Sequence, residues 1–250
     1  MTILKKQENQ MAQASLTNRP LYVQVREILL ERISSGAWRP GDLIPNEFAV
    51  ASELGVSQGT VRKALDSLAA DRLVIRRQGR GTHVAQHTPD EVLFRFFNFV
   101  DENGEPIRPG LHSAKLVERS ATREEQTRLS LGDGARVFRI KRLRTNGDTP
   151  FILEKISLPV WLFPALGEER NLPNTLYDYF QKACAVTVAR GDERLTVAKA
   201  SADQAGILGI LPGTPLLKID RVMYSLQNQP VEWRVSLCWM KNTAYAIQLR

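Results

Sequence analysis

The sequence predicts an α+β protein in two parts: a small helical unit closed by a β-hairpin, then an antiparallel sheet with helices packed against it. Three observations carry that expectation. Apolar residues recur at helical spacing from Leu21 to Leu68. A basic, glycine-containing hairpin follows. Beyond it, a strand-rich segment repeats itself at an offset of 79 residues.

The chain opens with "MTILKKQENQMAQASLTNR", which lacks the apolar core of a signal peptide; residues 1–18 are expected to be a disordered polar lead-in. From Pro20, Leu21, Val25, Ile28, Leu29 and Ile33 mark a first helix that Gly36 ends. After the turn-rich "WRPGDLIP", Asn46 caps a second helix, expected to turn Phe48, Val50, Ala51 and Leu54 towards a core. Gly55 supplies a sharp turn and Ser57 caps a third helix, with Val61, Leu65 and Leu68 inward. "RLVIRRQGRGTHVA" then reads as two short strands around a glycine loop. Three helices and a basic hairpin make a winged helix-turn-helix over residues 19–85. A linker is expected at 86–92, "QHTPDEV", and a second domain over 93–250.

In that second domain "ATREEQTRLSLGDGARVFRIKRLR", from Ala121, aligns without a gap on "ASADQAGILGILPGTPLLKIDRVM", from Ala200. The match brings Gly134 onto Gly213, Ile140 onto Ile219 and Arg142 onto Arg221. Each copy reads as strand, helix, glycine turn, strand, and continues through Pro150 or Pro230 into another strand. Such a duplication makes an antiparallel sheet with helices on it and a cleft where the copies meet.

Composition narrows the function. The 250 residues carry a formal charge of +7, and 43% are hydrophobic. Between Ser57 and Ala85, Arg62, Lys63, Arg72, Arg76, Arg77 and Arg80 face only Asp66 and Asp71, which suits an anionic partner or a solvated basic face. Cys184 and Cys238 have no ligand spacing, and the three histidines form no metal pattern. No apolar run approaches the ~20 residues that span a bilayer. A cytoplasmic protein without metal, cofactor or catalytic residues is expected.

In "SELGVSQGTVRKALDSL" the third helix opens on Gln-Gly-Thr, where a solvated helix would usually carry charge. A recognition helix enters the major groove by that turn, which must be slim and able to read base edges. Gly59 permits close approach. Gln58 can make a bidentate contact to adenine, and Thr60 can donate to a base or phosphate. Ser57 and the helix N-terminus favour a phosphate. Arg62 and Lys63 suit the DNA backbone, while Gln78, Gly79 and Arg80 put the wing into the minor groove.

Residues 20–85 resemble the DNA-binding domain of GntR-family transcriptional regulators of the HutC branch. "KRLRTNGDTPFILEKISLP", "TLYDYF" and "PGTPLLKIDRV" resemble segments of that branch's UTRA effector domain, whose fold is similar to that of chorismate lyase. The resemblance implies a homodimer on a palindromic double-stranded DNA operator, responsive to a small molecule. Phe48 and Gln58 stand where the family often has Arg, so an altered operator is expected; for Phe48 core packing is the preferred reading.

Alternation along the strand from Val137 places Phe138, Ile140, Arg142 and Arg144 on one side. Two arginines continuing an apolar face suit a carboxylate or phosphate at the end of a pocket. UTRA proteins use such Arg and Glu positions for ligands, which makes Arg142, Arg144, Glu154 and Glu232 candidates. An Arg–Glu network that only supports the sheet is the alternative. Where sugar-phosphate-binding relatives have a Ser/Thr-rich loop this chain has "FFNFVDENG", with Asn98 near the expected hydroxyl, and a tyrosine position holds Cys238. These departures favour a small organic acid or phosphate over an amino-sugar phosphate. The expected function is a repressor released by that ligand; an activator, a lyase-like enzyme and a protein whose second domain only dimerises are the rivals.

Overall fold

The computed structural model describes residues 19–71, 73–77, 79–85, 96–169 and 171–247. The lead-in expected at 1–18, the linker expected at 86–92 and Gln78 lie outside the described residues. The chain divides into two compact units, one ending at Gln86 and the other beginning at His87.

In the first unit α1 (Leu21–Ser34), α2 (Glu47–Leu54) and α3 (Gln58–Ala70) precede a hairpin of β1 (Val74–Arg77) and β2 (Gly81–Val84). Asn46 and Ser57 cap α2 and α3, their side-chain oxygens accepting from Ala49 N at 2.9 Å and Thr60 N at 3.2 Å. Gly55, at φ 66°, takes the left-handed conformation that ends α2. Val25, Leu29, Val50, Val61, Leu65 and Leu68 are all 2% exposed or less, so the helical spacing of apolar residues marks the core. Gly81 closes the wing at φ 85°, and a Cβ there would come within 2.8 Å of Leu43 Cδ1.

Phe48 does not pack inward. It is 69% exposed, and Leu54 is only half-buried. The reason is angular: Phe48 lies about 200° around the helix from Val50, which holds the buried face. Leu21, the first of the apolar positions that mark α1, is 50% exposed, and Leu30, outside that set, is buried.

The second unit is a six-stranded antiparallel sheet. Its strands are β4 (Gly110–Ser120), β5 (Arg136–Asn146), β6 (Thr149–Pro159), β7 (Val188–Lys199), β8 (Pro215–Ser225) and β9 (Pro230–Cys238), in the spatial order 4-5-6-9-8-7. A short pair, β3 (Phe99–Asp101) with β10 (Thr243–Tyr245), lies apart from it. The internal repeat is visible in local detail. Helices α4 (Arg123–Leu129) and α6 (Ala202–Leu208) each begin with a reciprocal capping box, Thr122 with Glu125 and Ser201 with Gln204. Each ends on a left-handed residue, Ser130 or Gly209. The two copies join where β6 pairs with β9, so reading outward from that seam gives β6-β5-β4 on one side and β9-β8-β7 on the other.

The two sheet faces differ. One packs Phe138, Ile140, Ile156 and Leu158 beneath α5 (Leu176–Cys184) and its leading 3-10 turns. The other is covered by α4, over Val137, Val222 and Trp233, and by α6, over Leu143 and Leu216.

Candidate functional site

At the front of the helix-turn-helix one carboxylate gathers two of the candidate DNA-binding side chains and a further arginine. Glu47, first residue of α2, accepts from Gln58 Nε2 at 3.1 Å, Arg62 Nε at 3.0 Å and Arg76 at 3.3 Å. Arg76 also meets Asp66 at 3.0 Å. The side chains of Arg62 and Arg76 remain 56% and 37% exposed, so solvent screens these pairs and each contributes about 1 kcal/mol or less. The Ser57 and Thr60 hydroxyls lie 2.8 Å apart. A Cβ on Gly59 would touch nothing nearer than Ser57 Oγ at 3.9 Å, so the front turn is open. Lys63 Nζ lies 4.1 Å from the centre of the Tyr22 ring, a cation–π contact. Gly79 turns the wing at φ 71°, and Arg80 N donates to Arg77 O at 2.9 Å.

On the α5 face of the sheet a buried charge network spans the seam between the repeats. Glu154 of β6 sits among three arginines: Arg234 Nη1 donates to it at 2.9 Å, Arg142 Nε lies 3.0 Å away and Arg144 Nη1 3.7 Å away. Arg234 also grips Glu232 with two bonds, at 3.0 and 2.9 Å, and Tyr177 OH donates to Glu232 at 2.8 Å. Arg221 pairs with Glu193, which also accepts from Tyr245 OH. Asn98 Nδ2 donates to that tyrosine at 3.1 Å.

Four guanidiniums, of Arg142, Arg144, Arg221 and Arg234, converge on a cavity of about 30 Å³ closed by Phe96, Phe97 and the start of α5. That is room for roughly one or two water molecules. Arg144 is held by the Gly110 and Pro109 carbonyls, both at 3.1 Å. Arg142 is held by the Asn174 carbonyl at 3.0 Å, yet its Nη1 is buried without a partner among the described residues. Its Nε is close to Glu154 but not aligned for a hydrogen bond, so that contact is one of charge alone.

Burial opposes every charge here, with different results. It would raise the Glu154 carboxyl, but Arg234, Arg142 and Arg144 hold it down to about 2. Burial also opposes the guanidiniums. At Arg234, Glu232 and Glu154 outweigh it and the pKa rises; at Arg142 burial wins and the pKa falls. At Arg144, too, burial wins and the pKa falls to about 9, so Arg142 and Arg144 are both less compensated than Arg234.

The profile of bacterial regulatory proteins of the gntR family matches residues 21–84, and that of the UTRA domain matches residues 107–241. The chain belongs to the GntR family. It is 30% identical to the HTH-type transcriptional repressor NagR of Bacillus subtilis over 84% of this chain and 86% of that protein. It is also 30% identical to the histidine utilization repressor of Pseudomonas putida, over 85% of each. Among solved structures, the ligand-binding domain of a GntR-family regulator from Bordetella bronchiseptica is 26% identical and superposes with a TM-score of 0.55, covering 62% of this chain and 98% of that one. PhnF from Mycobacterium smegmatis is 25% identical with a TM-score of 0.53, covering 90% and 99%.

This GntR regulator is thus a DNA-binding transcriptional regulator with a UTRA domain, not an enzyme. Among the described residues no helix is long and apolar enough to cross a membrane. The structure brings Arg142, Arg144, Glu154 and Glu232 into one network. Only the two arginines line the cavity; the glutamates stand behind and hold arginines in place. Among the described residues Asn98 reaches the network through Tyr245 and Glu193. Sequence reasoning missed Arg221, Arg234, Tyr177 and Asn174. Two of these had a signal: Arg221 is the repeat equivalent of Arg142, and Arg234 shares a strand face with Glu232. For Asn174, just before α5, and Tyr177, in its first turn, nothing in the sequence indicates which way they point.

Proposed function

We propose that this regulator is a cytoplasmic homodimeric repressor that leaves a palindromic operator when a small organic anion enters the arginine cavity. In this reading residues 19–85 bind DNA, 86–92 link, and 93–250 bind the effector and dimerise. Ser57, Gln58, Gly59 and Thr60 present the reading turn, Arg62 and Lys63 the backbone contacts, and Gln78, Gly79 and Arg80 the wing. The relatives named above are repressors, which supports the sign of the response.

The observation that carries the ligand class is the buried, unpartnered Nη1 of Arg142. Four guanidiniums there meet three carboxylates, of Glu154, Glu193 and Glu232. One cation is left over in a desolvated site, where an unpaired charge is costly. A carboxylate or phosphate monoanion would balance it, bind Arg142 bidentately and settle against Phe96 and Phe97. As folded, the cavity holds little more than water, so the ligand must part the start of α5 from the sheet. That displacement is the event transmitted to the DNA-binding unit, where two half-sites must stay in register.

Thermal shift over a panel of organic acids and phosphates tests the reading, with operator binding measured beside it. An effector should raise Tm and weaken operator binding in the wild type, and do neither in Arg142→Met. If every stabilising anion acts equally on Arg142→Met, the cavity is not the effector site.

A further inference from the structure

We infer that Phe48 is a sequence-reading residue: its ring takes the 5-methyl group of a thymine in the operator half-site, beside the base that Gln58 meets. The inference rests on the reading of Ser57, Gln58, Gly59 and Thr60 as the DNA-facing turn, and adds to it a contact of a different chemistry.

Phe48 stands in the first turn of α2 and is 69% exposed, while Val50 and Ala51 hold the buried side of that helix. Ala49, beside it, and Ser52, one turn on, are small and exposed, so α2 itself gives the ring no cover. A phenyl ring left in water gains from any apolar group that covers it.

Its place on the helix aims it. Glu47, the preceding residue, meets Gln58 and Arg62 of α3 and Arg76 of β1, so α2 begins against the front of the recognition helix. On the other flank of α2, Glu53 pairs with Arg32 of α1 at 2.6 Å. At 100° per residue Phe48 lies about 140° around the helix from Glu53 and about 100° from Glu47. It therefore points away from α1, at the margin of the reading surface. In a helix-turn-helix the helix before the recognition helix crosses the DNA backbone, which brings its front turn to the edge of the major groove.

The neighbourhood decides what the ring meets there. Arg62 and Arg76 keep 56% and 37% of their side chains exposed, which suits a duplex; an apolar protein surface laid over Phe48 would have to desolvate both cations. The ring has no donor or acceptor, so phosphates and the polar atoms of base edges offer it nothing. In the major groove the apolar group that a base edge presents is the thymine 5-methyl. Gln58 and Phe48 thus read neighbouring features by unlike means, one by hydrogen bonding and the other by apolar contact.

The full-length protein and the duplex that site selection returns for it provide the test. Each thymine is replaced in turn by uracil, symmetrically in both half-sites, which removes the methyl group and leaves the hydrogen-bonding edge intact. At fixed salt, wild-type affinity should fall at one symmetric position by about fourfold per half-site, roughly fifteenfold for the pair. Phe48→Ala, at an exposed position, should melt like the wild type, bind the thymine duplex more weakly and be indifferent to uracil at that position. A wild type indifferent to uracil at every thymine overturns the inference, and is the result expected if the ring lies on deoxyribose instead. So does a Phe48→Ala protein that keeps the full uracil penalty. A wild type that prefers no duplex at all would remove the DNA reading of Ser57, Gln58, Gly59 and Thr60 as well, an outcome distinct from the other two.

Discussion

Glu47 and Glu154 occupy corresponding roles in the two units of the molecule: each is a carboxylate ringed by arginines. Their surroundings make them different devices. Glu47 keeps 19% of its side chain exposed and its arginines far more, so its partners can exchange it for water or a phosphate at little cost. Glu154 and its arginines are nearly sealed, and none can leave without another anion to replace the carboxylate. The first arrangement holds reading groups ready. The second ties strands of the sheet together and leaves Arg142 Nη1 buried without a partner among the described residues.

Removing the two carboxylates should separate the roles most sharply. Glu154→Gln removes the carboxylate that three buried guanidiniums share and should lower the stability of the second unit by about 3–5 kcal/mol. Glu47→Gln should cost under about 1 kcal/mol. Denaturant unfolding monitored in each unit measures both, and equal losses would break the comparison.

Acid should act next, and on the second unit. The Glu154 carboxyl is held at about 2 against its ordinary 4.5, so the unfolded chain binds that proton more tightly. Its contribution is complete above about pH 4.5 and is lost as pH falls towards 2. Melting curves across that window should show the second unit losing stability as the pH falls.

At the DNA end the expected effects are smaller and concern specificity. Gln58 Nε2 donates to Glu47 at 3.1 Å, so the bidentate adenine contact expected from the sequence requires the amide to exchange that carboxylate for the base. Gln58→Arg should shift base preference at one symmetric operator position by about 1–3 kcal/mol, which site selection would detect. Glu47→Gln should have the mildest outcome: a few-fold tighter binding to unrelated DNA, read by competition, as Arg62 and Arg76 lose their internal anion.

Much of this was legible in the chain. Caps at Asn46 and Ser57, the turn at Gly55 and the repeat offset all follow from local chemistry that a sequence displays. Phe48 was not legible, because an aromatic residue in a helix suggests burial and only its angle to Val50 reveals exposure. Nor was the division of labour in the cavity. Alternation put Arg142 and Arg144 on one face, but that arginines line the space while Glu154 and Glu232 stand behind them depends on β-strand register across the seam. Arg221 could have been found by carrying the repeat through to the site; Tyr177 and Asn174 depend on how a separate segment folds over the sheet.

The Glu47 cluster also bears on how the protein will behave as ions are added. A cation that trades an internal carboxylate for a phosphate brings no net positive charge to the duplex, and the vacated carboxylate must find counterions of its own. Transfer of Arg62 and Arg76 therefore expels fewer condensed ions from DNA than a count of basic contacts suggests. The logarithm of operator affinity should fall with the logarithm of salt less steeply than that count implies, and Glu47→Gln should restore the steeper line.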